Sequence, residues 1–274
     1  MKIQLIKSIS ILAVTFSFFS CNVTDLVPED AITDYNYWTK PDDMKLFANN
    51  FYTMLSGPSS SLDANTDNGV QNTPDSRLFN TMTVPASGGG WSKDDWNTIR
   101  NANYFLSHYQ TVTGNADIIN QYVGEVRFFR AYSYFEKVKT FGDVPWIDKN
   151  LTTTDADYLM KARDSQKFVI DKIIEDLEFA TENLKEPSNV ETGRLHKYAA
   201  LQMLARVCLY EGTWLKYRKQ QGWEAYLQKA VSASEKIMQS GKYDIVKGEA
   251  LYMYGGYPLY YRQQFIQEDL TNNK

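Results

Sequence analysis

The chain of 274 residues carries only two cysteines, Cys21 and Cys208, and only two histidines, His108 and His196. Two cysteines exclude a disulfide scaffold, and two histidines far apart in sequence leave little for a His-built metal site. A basic excess is also missing. The 29 Lys+Arg against 33 Asp+Glu give a net charge of −4, which is no electrostatic footprint for nucleic acid. No apolar run is long enough to cross a bilayer as a helix. His-Glu-x-x-His, Gly-x-Ser-x-Gly and the phosphate-cradling Gly loop are all absent, and no nucleophile stands beside a base, which argues against an enzyme. What is present is material for a core: 43% hydrophobic residues, 14% of the chain aromatic, and 23% charged residues for a solvated surface.

Residues 1–20 read as an export signal. Lys2 and Lys7 form a basic start, and an apolar run from Ile9 to Phe19 follows. Ser20-Cys21 closes it in the manner of a bacterial lipobox, in which the cysteine thiol is lipidated and becomes the mature N-terminus. An ordinary secretory peptide with an incidental cysteine is the alternative. Residues 21–40 are polar, with Asp25, Pro28, Glu29 and Asp30, and read as a tether. Cys208 sits in the apolar run of Leu201, Leu204 and Ala205 and reads as a small buried thiol.

From Pro41 the periodicity becomes helical. Met44, Phe47, Phe51 and Leu55 recur at spacings of three to four until Gly57-Pro58. Residues 57–90 are rich in Ser, Asn, Asp, Gly and Pro, a long irregular loop. Ser92 predicts the next helix start, with Trp96, Ile99, Ala102, Leu106 and Tyr109 as its stripe. A longer helix over about 117–141 has two apolar faces and ends at Gly142, and another covers about 165–184. A pair over about 196–213 and 223–240 follows, punctuated by Gly212 and Gly222. The pattern predicts a mostly all-α fold of stacked antiparallel, tetratricopeptide-like helix pairs over residues 41–274, with no strict repeat period.

Two loop features could bind a ligand. Asp63, Asn65 and Asp67 alternate before Gly69 and could converge oxygens on calcium, but the glycine comes one position late, and a run of Asx-turns is the simpler reading. Trp91 follows Gly88-Gly89-Gly90 beside the polar loop. It could present a flat face to a sugar ring, with Asp67 and Arg77 as polar neighbours, or fold back as a staple on the helix it precedes.

Four segments together carry a resemblance. Tyr37-Trp38-Thr39 precedes the first helix. WSKDDWNTIRNANYFL at 91–106 contains an I-x-x-A-N pattern at Ile99, Ala102 and Asn103. GEVRFFRAYSYFEKVKTFGDVPWI covers 124–147, and GRLHKYAALQMLARVCLYEG covers 193–212. These blocks resemble the SusD/RagB family of outer-membrane nutrient-binding lipoproteins. The resemblance implies a tetratricopeptide-like scaffold and a non-enzymatic role at the bacterial outer membrane, lipid-anchored through Cys21 and facing the exterior. It implies capture of an oligosaccharide and its delivery to a TonB-dependent, SusC-like transporter. A peptide ligand, or a helical scaffold without a small ligand, are the alternatives. It further implies that Glu125, Arg127 and Arg130 form a structural ion network and that Asn103 serves a neighbouring backbone segment. Family chains are longer, and YPLYYRQQFIQEDLTNNK at 257–274 resembles a mid-chain family segment, so the expectation is an N-terminal portion incomplete at its C-terminus.

Overall fold

The computed structural model describes residues 37–55, 65–66, 69–70, 76, 80–84, 88–244, 253–254 and 257–258. Cys21, Asp63, Asp67 and Arg77 lie outside them, as does the side chain of Asn65. The chain divides into two units, Met1–Tyr37 and Trp38–Lys274, and the elements below belong to the second.

Helix α1 spans Pro41–Asn49. Pro41 opens it, and the Asp43 carboxylate accepts from Thr39 N–H at 3.3 Å and Lys40 N–H at 3.0 Å. These bonds satisfy amides at the positive end of the helix. The apolar run expected to reach Leu55 changes character at Asn50, where a 3₁₀ turn, Asn50–Met54, takes over. That turn buries Phe51 and leaves Leu55 exposed.

Helix α2 spans Asn97–His108, five residues later than Ser92 predicted. Ser92 does bond Asp95, with Oγ donating to Oδ2 at 2.5 Å, but a 3₁₀ turn at Asp94–Trp96 intervenes before the helix. The buried stripe is Ile99, Ala102 and Phe105, with Asn103 beside them. Phe105 replaces the expected Leu106 because Trp38, Phe47 and Tyr109 gather around its ring.

Helix α3, Ala116–Phe141, is capped by Asn115 Oδ1, which accepts from Asp117 N–H at 2.8 Å. It is buried nearly all round, as two apolar faces require. Its end is enforced by Gly142, whose φ of +69° suits glycine at a helix terminus. Next come a short helix α4 at Ala156–Leu159, not foreseen from sequence, and α5 at Gln166–Asn183. Helices α6, Lys197–Tyr217, and α7, Trp223–Gln239, complete the helical series.

The helices pack in a row: α2 on α3, α3 on α5, α5 on α6 and α6 on α7, with α1 against α3. Neighbours in the row follow one another along the chain, with only the short α4 between α3 and α5, so the expected stack of helix pairs is what the core is built from. Two-residue antiparallel ladders, Asn65–Thr66 with Gly69–Val70 and Met253–Tyr254 with Tyr257–Pro258, lie outside it. Gly212 is a correction. It lies inside α6 and punctuates nothing. A Cβ there would stand 2.6 Å from Leu227 Cδ2, so its lack of a side chain lets α6 and α7 approach.

Buried polar groups tie the row together. Glu125 on α3 accepts from Arg194 at 2.6 Å, Gln121 at 2.9 Å and Tyr52 Oη at 3.0 Å, joining α3 to the segments before α2 and α6. Cys208 is fully buried, and burial pushes its thiol pKa up to about 12, far from nucleophilic use at neutral pH. His108 stacks on Trp38 at 5.6 Å, and His196 caps α6 through Nδ1.

Glu211 on α6 is 1% exposed and accepts from Gln166 Nε2 at 2.8 Å. Burial raises its pKa, with the Gln166 hydrogen bond only partly opposing. A carboxyl pKa raised in the folded state gives stability that is full below the unfolded value, about 4.3, and lost as pH rises through the folded value. Glu211→Gln is therefore expected to stabilise the protein by about 1 kcal/mol at pH 8 and to be close to neutral at pH 4. Urea denaturation of both forms across that range checks it, and a parallel pH dependence in the two proteins would refute it.

Candidate functional site

Among the described residues, a cavity of about 560 Å³ opens between the start of α2 and the segment joining α3 to α5. Its size falls within the usual range of small-ligand sites. Three elements build it. The glycine turn and 3₁₀ turn supply Trp91, Lys93 and Trp96, and α2 supplies Ile99, Arg100 and Asn103. The third wall is the segment after Gly142, through Pro145, Ile147, Lys149 and Leu151, with Tyr158 of α4.

The local sequence explains why this segment holds its shape. Asp143 Oδ1 accepts from Gln166 N–H at 2.7 Å and thereby caps α5. Val144 pairs with Asp164 in an isolated bridge, and Trp146 N–H donates to Asp164 Oδ2 at 2.7 Å. The Tyr134 hydroxyl donates to Ile147 C=O at 3.1 Å and accepts from Ile147 N–H at 2.8 Å. Buried Trp146 packs on the Tyr134 ring at 4.3 Å. The Gly-Asp-Val-Pro-Trp-Ile run is thus a pinned bracket, with Pro145 and Ile147 facing the cavity.

Behind that wall lies the charged network. Arg130 grips Asp176 with two parallel bonds, Nε to Oδ2 at 2.7 Å and Nη2 to Oδ1 at 2.8 Å. Its third donor, Nη1, reaches Asn103 Oδ1 at 2.8 Å, and Asn103 Nδ2 donates to Ile147 C=O at 2.8 Å. Burial alone would lower the Arg130 pKa, but the Asp176 charge and hydrogen bonds more than reverse this. Arg127 lies 3.8 Å from Asp176 and rests its guanidinium 4.2 Å over Phe179. Arg127 and Arg130 thus share one anion, whereas Glu125 belongs to the separate cluster with Arg194. All three lie in the helical frame, and only Asn103 of the four also lines the cavity.

Trp91 is half-buried, packed against its neighbours and also part of the cavity lining. Its ring meets Trp96 edge-on at 5.2 Å and Phe141 at 4.7 Å, and the Arg163 guanidinium lies 4.6 Å from its centroid. Partner contacts fix the ring, and it still forms part of the cavity lining. Gly88, Gly89 and Gly90 all have positive φ, and a Cβ on Gly90 would touch Phe141 at 3.4 Å, so the turn brings Trp91 down onto the end of α3. Lys137 anchors the same turn, donating to Gly90 C=O at 3.2 Å and lying 4.3 Å over the Trp96 ring.

Sequence reasoning assigned Trp96 to a packing stripe and did not single out Lys93, Arg100, Lys149, Tyr158 or Lys161. Two tryptophans five apart around a lysine were the available signal. The opposite wall arrives from about fifty residues later, which only the fold reveals. Asp67 and Arg77 lie outside the described residues. Among the described residues no group of His, Cys, Asp or Glu is placed to hold a metal ion, and no helix is long and apolar enough to cross a membrane.

Residues 29–209 match the model of a SusD-like family described as starch-binding and associating with the outer membrane. A curated relative, SusD-like protein P38 of Formosa agariphila, is 28% identical over 209 residues, covering 70% of this chain and 39% of its own. A SusD-like protein of Bacteroides fragilis is similar in structure, with a TM-score of 0.61 at 26% identity over 82% of this chain and 42% of that one. A SusD-like carbohydrate-binding protein from the same organism shares the fold at a TM-score of 0.59 and 20% identity, covering 76% of this chain and 42% of that one. This chain therefore spans about two-fifths of the length of these relatives. With a family match over most of its helical row, the chain belongs to the SusD-like family.

Proposed function

We propose that this chain is the helical part of a cell-surface lipoprotein that binds an oligosaccharide and hands it to a TonB-dependent outer-membrane transporter. In this reading it acts by binding and not by catalysis. Cys21 carries the lipid, residues 22–40 tether the protein to the outer membrane, and the helical domain begins at Pro41. The observation that carries the reading is the cavity with three aromatic side chains on its walls, Trp91, Trp96 and Tyr158. Sugar rings present apolar C–H faces that pack on aromatic surfaces, while their hydroxyls need polar partners at the rim. The rings are held by their neighbours, so little conformational freedom is lost when a ligand docks. The family description points to the same ligand class.

Titration of a glycan panel against the purified full chain tests this. At least one oligosaccharide should bind, and Trp91→Ala and Trp96→Ala should each weaken it on the order of tenfold, as loss of a central aromatic anchor does. Unchanged affinity in both variants would remove this cavity from the site. Binding of a peptide with refusal of every glycan would favour the peptide-binding alternative.

A further inference from the structure

The charge on the cavity walls is one-sided. Lys93, Arg100, Lys149 and Lys161 line it, and among the described residues no carboxylate does. This contrasts with the chain as a whole, which carries a net charge of −4. Four of the acidic residues nearby are committed elsewhere, and a fifth, exposed Asp148, acts electrostatically on Lys149 and Arg130. Asp95 is turned back onto Ser92, and Asp94 accepts from Asn97 at 3.3 Å. Asp155 takes Lys149 at 2.5 Å together with Thr152 N–H, and Asp164 takes Lys161 at 2.7 Å together with Trp146 N–H. Lys149 and Lys161 are thereby neutralised. Lys93 and Arg100 are exposed and have no acidic partner among the described residues.

The balance of donors and acceptors points the same way. A neutral sugar offers hydroxyls that both donate and accept, so its site normally supplies acceptors. Here the Asn103 oxygen is occupied by Arg130, and the Thr152 hydroxyl by Asp155 and Thr154. Apart from the Thr153 and Tyr158 hydroxyls, the polar side chains on the described walls offer mainly donors. A ligand that brings its own acceptor oxygens, and negative charge with them, completes such a site, because charge-assisted hydrogen bonds are stronger than neutral ones.

Building on the oligosaccharide-binding reading, we infer that this cavity selects an anionic oligosaccharide, one bearing carboxylate or sulfate groups, through Lys93 and Arg100. The full chain is titrated calorimetrically with two matched pairs. One is an oligogalacturonate and its methyl ester, and the other is a sulfated galactan oligosaccharide and its desulfated form. The charged member of one pair should bind about tenfold or more tightly than its neutral counterpart. Which pair responds distinguishes carboxylate from sulfate. The preference should shrink as salt is raised and fall to about one in K93Q/R100Q. Equal affinity within both pairs, or a preference that survives K93Q/R100Q, overturns the inference. If neutral glycans bind in a Trp91-dependent way while charged ones do not, the oligosaccharide reading stands and this inference alone fails. If no glycan binds, both fall.

Discussion

Arg130→Ala should cost about 3–5 kcal/mol of folding stability, the usual penalty for stranding one member of a buried ion pair. The Asp176 side chain is 3% exposed and Arg130 7%, so neither charge has water to fall back on. Removal of the guanidinium leaves Asp176 with Arg127 at 3.8 Å and deprives Asn103 Oδ1 of its donor. Arg130→Lys should recover little. One ammonium cannot reproduce the fork that reaches both Asp176 oxygens and Asn103 together. The apolar double variant Arg130→Met/Asp176→Leu should be far more stable than either single change predicts, because it removes the unpaired charge along with the pair. Denaturant melts of the two singles and the double measure this coupling. An Arg130→Ala protein within 1 kcal/mol of the parent would show that the pair is solvated and would break the argument. The consequence reaches the cavity as well. Asn103 relays the Arg130 interaction to Ile147 C=O, so loss of Arg130 loosens one cavity wall and should weaken ligand binding beyond its effect on stability.

Gly212→Val should cost about 3 kcal/mol, at the upper end of overpacking in a closely packed core. Helix propensity alone predicts the opposite sign for the milder Gly212→Ala, since alanine is favoured over glycine by about 1 kcal/mol inside a helix. Geometry decides between them. A Cβ at this site would stand 2.6 Å from Leu227 Cδ2, 2.8 Å from Cγ and 3.2 Å from the Leu227 amide nitrogen. The leucine side chain can turn away, but the backbone of α7 cannot yield without separating the helices. Gly212→Ala should therefore be net destabilising in the parent and less so in a Leu227→Ala background, where the 2.6 and 2.8 Å contacts are gone and only the 3.2 Å backbone contact remains. Thermal melts of this four-member cycle test it. A Gly212→Ala that stabilises the parent would mean that α6 and α7 do not approach as closely as the structure has them.

These two sites also mark where the sequence could be read and where it could not. Helices α3, α5 and α7 were legible to within a residue or two because their apolar spacing is regular, and Gly142 marks the end of α3. Gly212 was misread as punctuation because its meaning depends on Leu227, a residue of the next helix. The start of α2 was misplaced for a related reason. Ser92 and Asp95 carry a capping pattern, but a 3₁₀ turn intervenes because Trp91 and Trp96 must both pack toward Phe141 and Tyr134. Leu106 gave way to Phe105, since periodicity cannot tell which of two adjacent apolar residues meets the cluster around Trp38.

The candidate site was legible only as one tryptophan beside a glycine turn. Trp96 looked like an ordinary stripe residue. Lys149, Tyr158 and Lys161 had no pattern connecting them with positions 91–103, because the connection runs through the bracket that Tyr134, Asp143 and Asp164 hold in place. By itself the sequence determined the helical class, the position of most helices and the family blocks, because short-range periodicity and capping set these. The tertiary structure alone decided which polar residues pair in the interior, where helices touch closely enough to demand glycine, and that a one-signed set of cations meets two tryptophans across a cavity. Each depends on contacts between residues distant in the chain, and no local spacing encodes a distance in space.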